Sequence, residues 1–272
     1  HDCANVILAV GARPIMAEHP AEVADITASA GALMLNLGNI TDARIESMKR
    51  SMRTAMEKKI PVLLDLVGVA CSDLRLDLAR ELLSIGHPAV LKGNMSELLA
   101  VSGLPSHAIG IDAGVEDALT EENIDGVSEV LKAFSRNNQA IVLATGKQDF
   151  VTDGERVVLV QNGSVALSGI TGTGCMVGAL TAAFLPGRED NIAKEMTDSI
   201  EAGVWSGGEI GLNERSGNYL AAAVLGTALM GIAGEEAEKI SRGPGSFQVN
   251  LLDEIYGLSD RQLLDLLKIE MY

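Results

Sequence analysis

Residues 168–187 read Ser168-Gly169-Ile170-Thr171-Gly172-Thr173-Gly174-Cys175-Met176-Val177-Gly178-Ala179-Leu180-Thr181-Ala182-Ala183-Phe184-Leu185-Pro186-Gly187. Gly169, Gly172 and Gly174 permit a tight turn, and Thr171 and Thr173 set hydroxyls between them. After Gly174 the residues become small and apolar, as in a buried helix. A glycine turn feeding a helix leaves unpaired N–H groups and a partial positive charge at its N-terminus, and both attract anions. Cys175 falls in the first turn, where a thiol shifts toward thiolate. Two readings stand at this point: an anion hole with a polar catalytic side chain beside it, or a tight turn before a core helix. A Walker loop is excluded, because no Gly-Lys-Ser/Thr follows these glycines. A dinucleotide fingerprint belongs in the first βα turn of a chain, whereas this turn comes late and has the spacing Gly172-x-Gly174-x-x-x-Gly178.

Upstream of the turn, apolar runs alternate with helical patterns. Residues 2–10 read as a short helix closed by Gly11, Pro14–Ala17 as a short strand, and Ala21–Ala30 as a helix. Ala32–Leu37, Pro61–Leu66, Ala89–Lys92 and Ala140–Thr145 are apolar runs of the kind that form strands buried on both faces. Helices are predicted between them: one capped by Thr41, one over Asp73–Ile85, a short one capped by Ser96 and ending at Gly103, and one starting at Thr120–Asn123. Such alternation is the mark of a parallel sheet with helices on both faces. Asp153-Gly154 and Asn162-Gly163 are hairpin signals, so an antiparallel edge should lead into the glycine turn. Residues 175–272 read as helical, and no linker or repeat divides the chain, which predicts one domain over 1–272.

The 272 residues are 47% hydrophobic but only 3% aromatic, with 29 glycines, which suits close-packed α/β layers. A net charge of −16 argues against nucleic acid and anionic lipid as partners. Three widely spaced cysteines, Cys3, Cys71 and Cys175, fit a reducing, cytoplasmic compartment better than a disulfide or zinc framework. The four histidines, His1, His19, His87 and His107, have no ligand spacing. Residues 164–187 and 216–234 are uncharged runs long enough to span a bilayer, but their Gly, Ala, Ser and Thr content reads as buried helix. No signal peptide is visible after His1-Asp2.

Open α/β sheets bind ligands at the carboxyl ends of their strands. Asn36, Asp65, Lys92 and Thr145 fall there. A carboxylate at the end of an apolar run is costly unless paired or metal-bound. Asp65 and Glu97 can meet around a magnesium ion through oxygen ligation, or can serve separately as caps. Lys92 can meet a phosphate or reach solvent. With the glycine turn, these groups point to phosphoryl transfer, which is mostly positioning and charge neutralisation.

Several stretches together resemble the hydroxyethylthiazole kinases of the ribokinase-like superfamily: Gly11-Ala12-Arg13-Pro14-Ile15-Met16-Ala17, Leu64-Asp65-Leu66-Val67-Gly68, Lys92-Gly93-Asn94-Met95-Ser96-Glu97, Ala144-Thr145-Gly146, Thr171-Gly172-Thr173-Gly174-Cys175 and Arg242-Gly243-Pro244-Gly245-Ser246-Phe247-Gln248. They occur in family order over nearly the whole chain. The resemblance implies a three-layer αβα ribokinase-like fold and ATP- and Mg2+-dependent phosphorylation of 4-methyl-5-(2-hydroxyethyl)thiazole in thiamine salvage. It also implies a homotrimer with active sites at subunit interfaces, to which the apolar helices at 197–234 and the stretch around Met16 should contribute. By position, Met16 and Gly172 correspond to substrate-binding residues, Lys92, Asn94 and Thr145 to ATP-binding residues, and Asp65 and Glu97 to the magnesium side. Cys175, with Thr173 and Gly174, corresponds to the catalytic turn, and Cys175 stands where many relatives carry an Asp base. Lys92 replaces a common Arg, and Leu66 a common Pro. The family also has an N-terminal segment with an Ile-Thr-Asn stretch, whereas this sequence begins inside the first helix. The alternatives are a sister kinase acting on a pyrimidine, pyridoxal or another alcohol, and a nucleotide-binding relative without turnover.

Overall fold

The structure, a computed structural model, pairs four of the apolar runs in parallel. It describes residues 1–103, 124–186 and 214–272. Two compact units result, one of Ile15–Val157 with Tyr272, the other of His1–Pro14 with Val158–Met271.

In the first unit, β1 (Leu33–Asn36), β2 (Val62–Asp65), β3 (Val90–Asn94) and β4 (Ile141–Thr145) pair in parallel and in sequence order. Val62, Leu63, Leu64, Val90, Leu91, Val142 and Leu143 are all fully buried, which is why β2, β3 and β4 read as unbroken apolar runs. β1, expected to be buried on both faces, has only Leu35 buried and its other three residues half-buried. β5 (Asp149–Thr152) then pairs antiparallel with β4, forming the expected antiparallel edge. The chain turns beyond it at Asp153-Gly154, with Gly154 at φ +95°. Asp153 holds that turn by accepting from the N–H groups of Glu155 and Arg156 and pairing with the Arg156 guanidinium at 2.7 Å.

Helices α2 (Val23–Ala28), α3 (Asp42–Lys58), α4 (Asp73–Ile85), α5 (Met95–Ser102) and α6 (Ile124–Asn138) complete this unit. α3 is capped by Thr41 as expected, its Oγ1 accepting from Arg44 N–H at 3.2 Å. α4 has its expected bounds and is capped by Ser72. The cap of α5 is Asn94 rather than Ser96: Asn94 and Glu97 form a reciprocal capping box, and Ser96 lies inside the helix. The Thr120–Asn123 helix start lies outside the described residues, as does His107. Pro14–Ala17 does not form the expected strand. That segment finds no neighbouring strand, and the stretch after it is strapped to α3: Ser47 Oγ donates to the Glu18 carbonyl at 2.7 Å, Arg50 to the Pro20 carbonyl at 3.2 Å, and Arg44 pairs with the Glu18 carboxylate.

The second unit contains α1 (Asp2–Ala9), α7 (Thr173–Phe184), α8 (Glu214–Ile240), α9 (Pro244–Gly257) and α10 (Asp260–Leu266). β6 (Val157–Val160) pairs antiparallel with β7 (Ile269–Met271), so the C-terminal part is not wholly helical. Asn162-Gly163 makes no hairpin. Asn162 instead ties down the chain ahead of β7, donating to the Leu266 carbonyl at 3.0 Å and accepting from Lys268 N–H at 2.8 Å.

α8 is long and apolar enough to cross a membrane, but 89% of its apolar window is buried inside the protein, as expected for a core helix. It packs closely on α7, and a Cβ on Gly226 would lie 2.5 Å from Thr181 Oγ1 and 2.6 Å from its backbone nitrogen. Of the 197–234 stretch expected at subunit contacts, residues 197–213 lie outside the described residues.

Candidate active site

Parallel register brings one group of expected site residues together at the carboxyl edge of the first unit. Asn36 pairs with Asp65, Asp65 with Lys92, and Asn94 with Thr145. Asp65 is 0% exposed and Lys92 only 3%, so Lys92 does not reach for solvent. Its Nζ donates to Asp65 Oδ1 at 3.0 Å, and Asn36 Nδ2 donates to Asp65 Oδ2 at 3.0 Å. Burial pushes the Asp65 carboxyl above its ordinary range, while the Lys92 charge and hydrogen bond pull it back.

Glu97 is the second acid of this edge. Its Oε2 accepts from Asn94 N–H at 2.9 Å, completing the α5 cap, and its Oε1 accepts from Gly68 N–H at 2.8 Å. It therefore ties the loop after β2 to the end of β3. Gly68 sits at φ +78° and suits only a residue tolerant of that conformation.

Magnesium keeps several waters and takes one or two carboxylates together with phosphate. Half-buried Glu97 retains a lone pair on each oxygen beyond its two backbone bonds, so it fits such an ion through water. Asp65 does not fit: it is wholly enclosed, with Lys92 on one oxygen and Asn36 on the other. No group of three or more His, Cys, Asp or Glu side chains converges as a metal cage among the described residues.

Asp149 is a site-edge residue that sequence reasoning passed over. It opens β5 just past Thr145, and its Oδ1 accepts from Gly146 N–H at 2.9 Å, closing the turn that follows β4. Its side chain is only partly accessible, and burial pushes its carboxyl up to about 7 against the opposing Gly146 hydrogen bond and Lys92 charge. The available signal was the Gly-x-x-Asp spacing, which suits a carboxylate capping its own turn.

The glycine turn lies in the second unit and has the expected form. A short 3-10 turn, Val165–Gly169, precedes Gly172, which stands at φ +87° as the N-cap of α7. Gly172, the N-cap, has no side chain to cap this helix, and the amides of Thr173 and Gly174 head its first turn. Thr173 Oγ1 donates back to the Leu167 carbonyl at 3.1 Å and thereby fastens the turn. Cys175 is half-buried in the first turn, as expected. Among the described residues no disulfide involves Cys3, Cys71 or Cys175. Met16 lies in the segment before α2 and is 63% exposed.

The sequence model of the hydroxyethylthiazole kinase family matches residues 1–207. Hydroxyethylthiazole kinase 2 of Clostridium botulinum (strain 657 / Type Ba4) is 42% identical over 272 residues, covering 100% of this chain and 91% of that protein. The solved structure of a hydroxyethylthiazole kinase protein from Pyrococcus horikoshii OT3 superposes with a TM-score of 0.77 at 29% identity, covering 99% of this chain and 88% of the other. A ribokinase-like superfamily protein from Enterococcus faecalis V583 shares the fold alone, with a TM-score of 0.53 at 11% identity over 86% of this chain and 66% of that one. The fold is thus the three-layer α/β fold of ribokinase-like proteins, and the chain belongs to the hydroxyethylthiazole kinase family.

Proposed function

We propose that the protein transfers the γ-phosphoryl group of ATP to the hydroxyl of 4-methyl-5-(2-hydroxyethyl)thiazole, in thiamine salvage. Family membership supports the substrate. The observation that carries the chemistry is the side-chain-free N-terminus of α7 behind Gly172. Phosphoryl transfer needs little covalent help, only positioning and charge stabilisation. The amides of Thr173, Gly174 and Cys175 hold the phosphoryl group in flight. Lys92, Asn94 and Thr145 bind the nucleotide, and Met16 and Gly172 bind the thiazole. The substrate oxygen attacks the γ-phosphorus, the bond to the ADP oxygen breaks, and the hydroxyl proton passes to the Cys175 thiolate. Glu97 is the side chain that would hold a magnesium ion through water, and such an ion would neutralise phosphate charge.

Residues 1–272 act as a single kinase domain in this reading. On the same reading the enzyme works in the cytoplasm as a homotrimer, where the family resemblance supplies the number of subunits and cyclic symmetry would bury apolar faces without open ends. Coupled-enzyme detection of ADP release tests the activity, with the thiazole alcohol, ribose, pyridoxal and a hydroxymethylpyrimidine offered side by side. The thiazole should have the highest kcat/KM. Faster turnover of any of the other three would overturn the substrate assignment.

A further inference from the structure

Asn36, Asp65 and Lys92 occupy one rung across three parallel strands. Neighbours on a rung project to the same face of a sheet, so three residues far apart in the chain meet side by side. A continuous series of hydrogen bonds results. Gly38 N–H donates to Asn36 Oδ1 at 2.8 Å, Asn36 Nδ2 to Asp65 Oδ2 at 3.0 Å, and Lys92 Nζ to Asp65 Oδ1 at 3.0 Å. The Lys92 ammonium is enclosed, and a buried charge persists only with a partner. Lysine presents a point charge that needs only one carboxylate oxygen, which leaves the other to Asn36. An arginine fork would compete for both. Lys92 keeps two further N–H donors beyond the one given to Asp65.

We propose that Asp65 is a positioning residue, the counter-ion that keeps Lys92 charged and directed toward the nucleotide phosphates, and that it is not a magnesium ligand. Asn36 holds Asp65 in turn. The inference rests on the reading of Lys92 as an ATP-binding residue. It assigns the magnesium side of the site to Glu97 alone among these two acids. It also explains a carboxylate that is wholly enclosed and has a protein donor on each oxygen.

Binding of ATP to the full chain, measured by calorimetry in EDTA and again in excess magnesium, separates the two roles. A metal ligand matters only when magnesium is present, whereas a counter-ion for Lys92 matters without it. Asp65→Asn should weaken metal-free ATP binding about as much as Lys92→Met does, roughly tenfold, the scale of one charge-assisted hydrogen bond. The double variant should bind no more weakly than Lys92→Met alone. The ratio of metal-free to magnesium-bound affinity should stay at the wild-type value. If Asp65→Asn instead leaves metal-free binding intact or tighter and loses the gain from magnesium, Asp65 is a metal ligand and the inference fails. If Lys92→Met leaves metal-free binding unchanged, the reading of Lys92 fails, and the inference with it. Asn36→Ala addresses the same question should Asp65→Asn not fold, because it leaves the ion pair in place. It should weaken metal-free binding about threefold, the scale of one neutral hydrogen bond, and no change would overturn the inference.

Discussion

Replacing Asp149 by Asn should stabilise the protein, and the gain should grow with pH. The Asp149 carboxyl is lifted from 3.8 to about 7, chiefly by burial. A raised carboxyl means that the folded state holds its proton where the unfolded chain has already lost it. Its stabilising contribution is therefore fully present below about pH 4 and is lost as pH rises through about 7. Above that, the folded protein carries a desolvated carboxylate. Asn is neutral at every pH, nearly the same size, and its Oδ1 can still accept from Gly146 N–H. At about 1.4 kcal/mol per unit, two units separate pH 5 from the raised value, a difference of about 3 kcal/mol. Partial solvent access at Asp149 reduces this to about 1–2 kcal/mol. For a chain of this size, that corresponds to an upward Tm shift of about 2–8 °C in the variant relative to wild type between pH 5 and pH 8.5. Thermal unfolding followed by circular dichroism at both pH values, wild type beside Asp149→Asn, measures it. A variant less stable at pH 8.5, or a gap that fails to narrow at pH 5, would refute the reasoning and recast Asp149 as an ionised partner of Lys92.

Substitutions at two further positions probe the turn and the helix behind it. Gly226→Ala should lower Tm by several degrees, because its Cβ would meet the Thr181 backbone and overpacking costs about 1–3 kcal/mol, only partly offset by about 1 kcal/mol of helix propensity; an unchanged melt would contradict the close α7–α8 packing. Cys175→Ser should reduce kcat on the order of a hundredfold with KM for the thiazole nearly unchanged, while Cys175→Asp keeps turnover, since a base acts in the transition state. Equal kcat for Cys, Ser and Asp would leave the α7 N-terminus as the main catalytic device.

What could be read before the structure was whatever a short window encodes. β2, β3 and β4 announce themselves because both faces are buried, so that apolar residues fill β2 up to Asp65, β3 up to Lys92 and β4 up to Thr145. The α7 turn is legible because the left-handed conformation at Gly172 and the small helix behind it are both local demands. Partnerships set by register are not local. β7 is three residues with no strand signal of its own, and it exists because β6 offers an edge to pair with. Pro14–Ala17 has strand-like residues and no such edge. Asp65 shows the same limit at the site. A carboxylate ending an apolar run must be neutralised, and a metal ion or a lysine satisfies that requirement equally well. Which of them does so depends on the residue at the same rung of the next strand, and Lys92 is 27 residues away in the chain. One rung of slip would put Leu91 or Gly93 beside Asp65 and leave the carboxylate to seek a metal. The chemistry at this edge of the sheet is therefore decided by strand register.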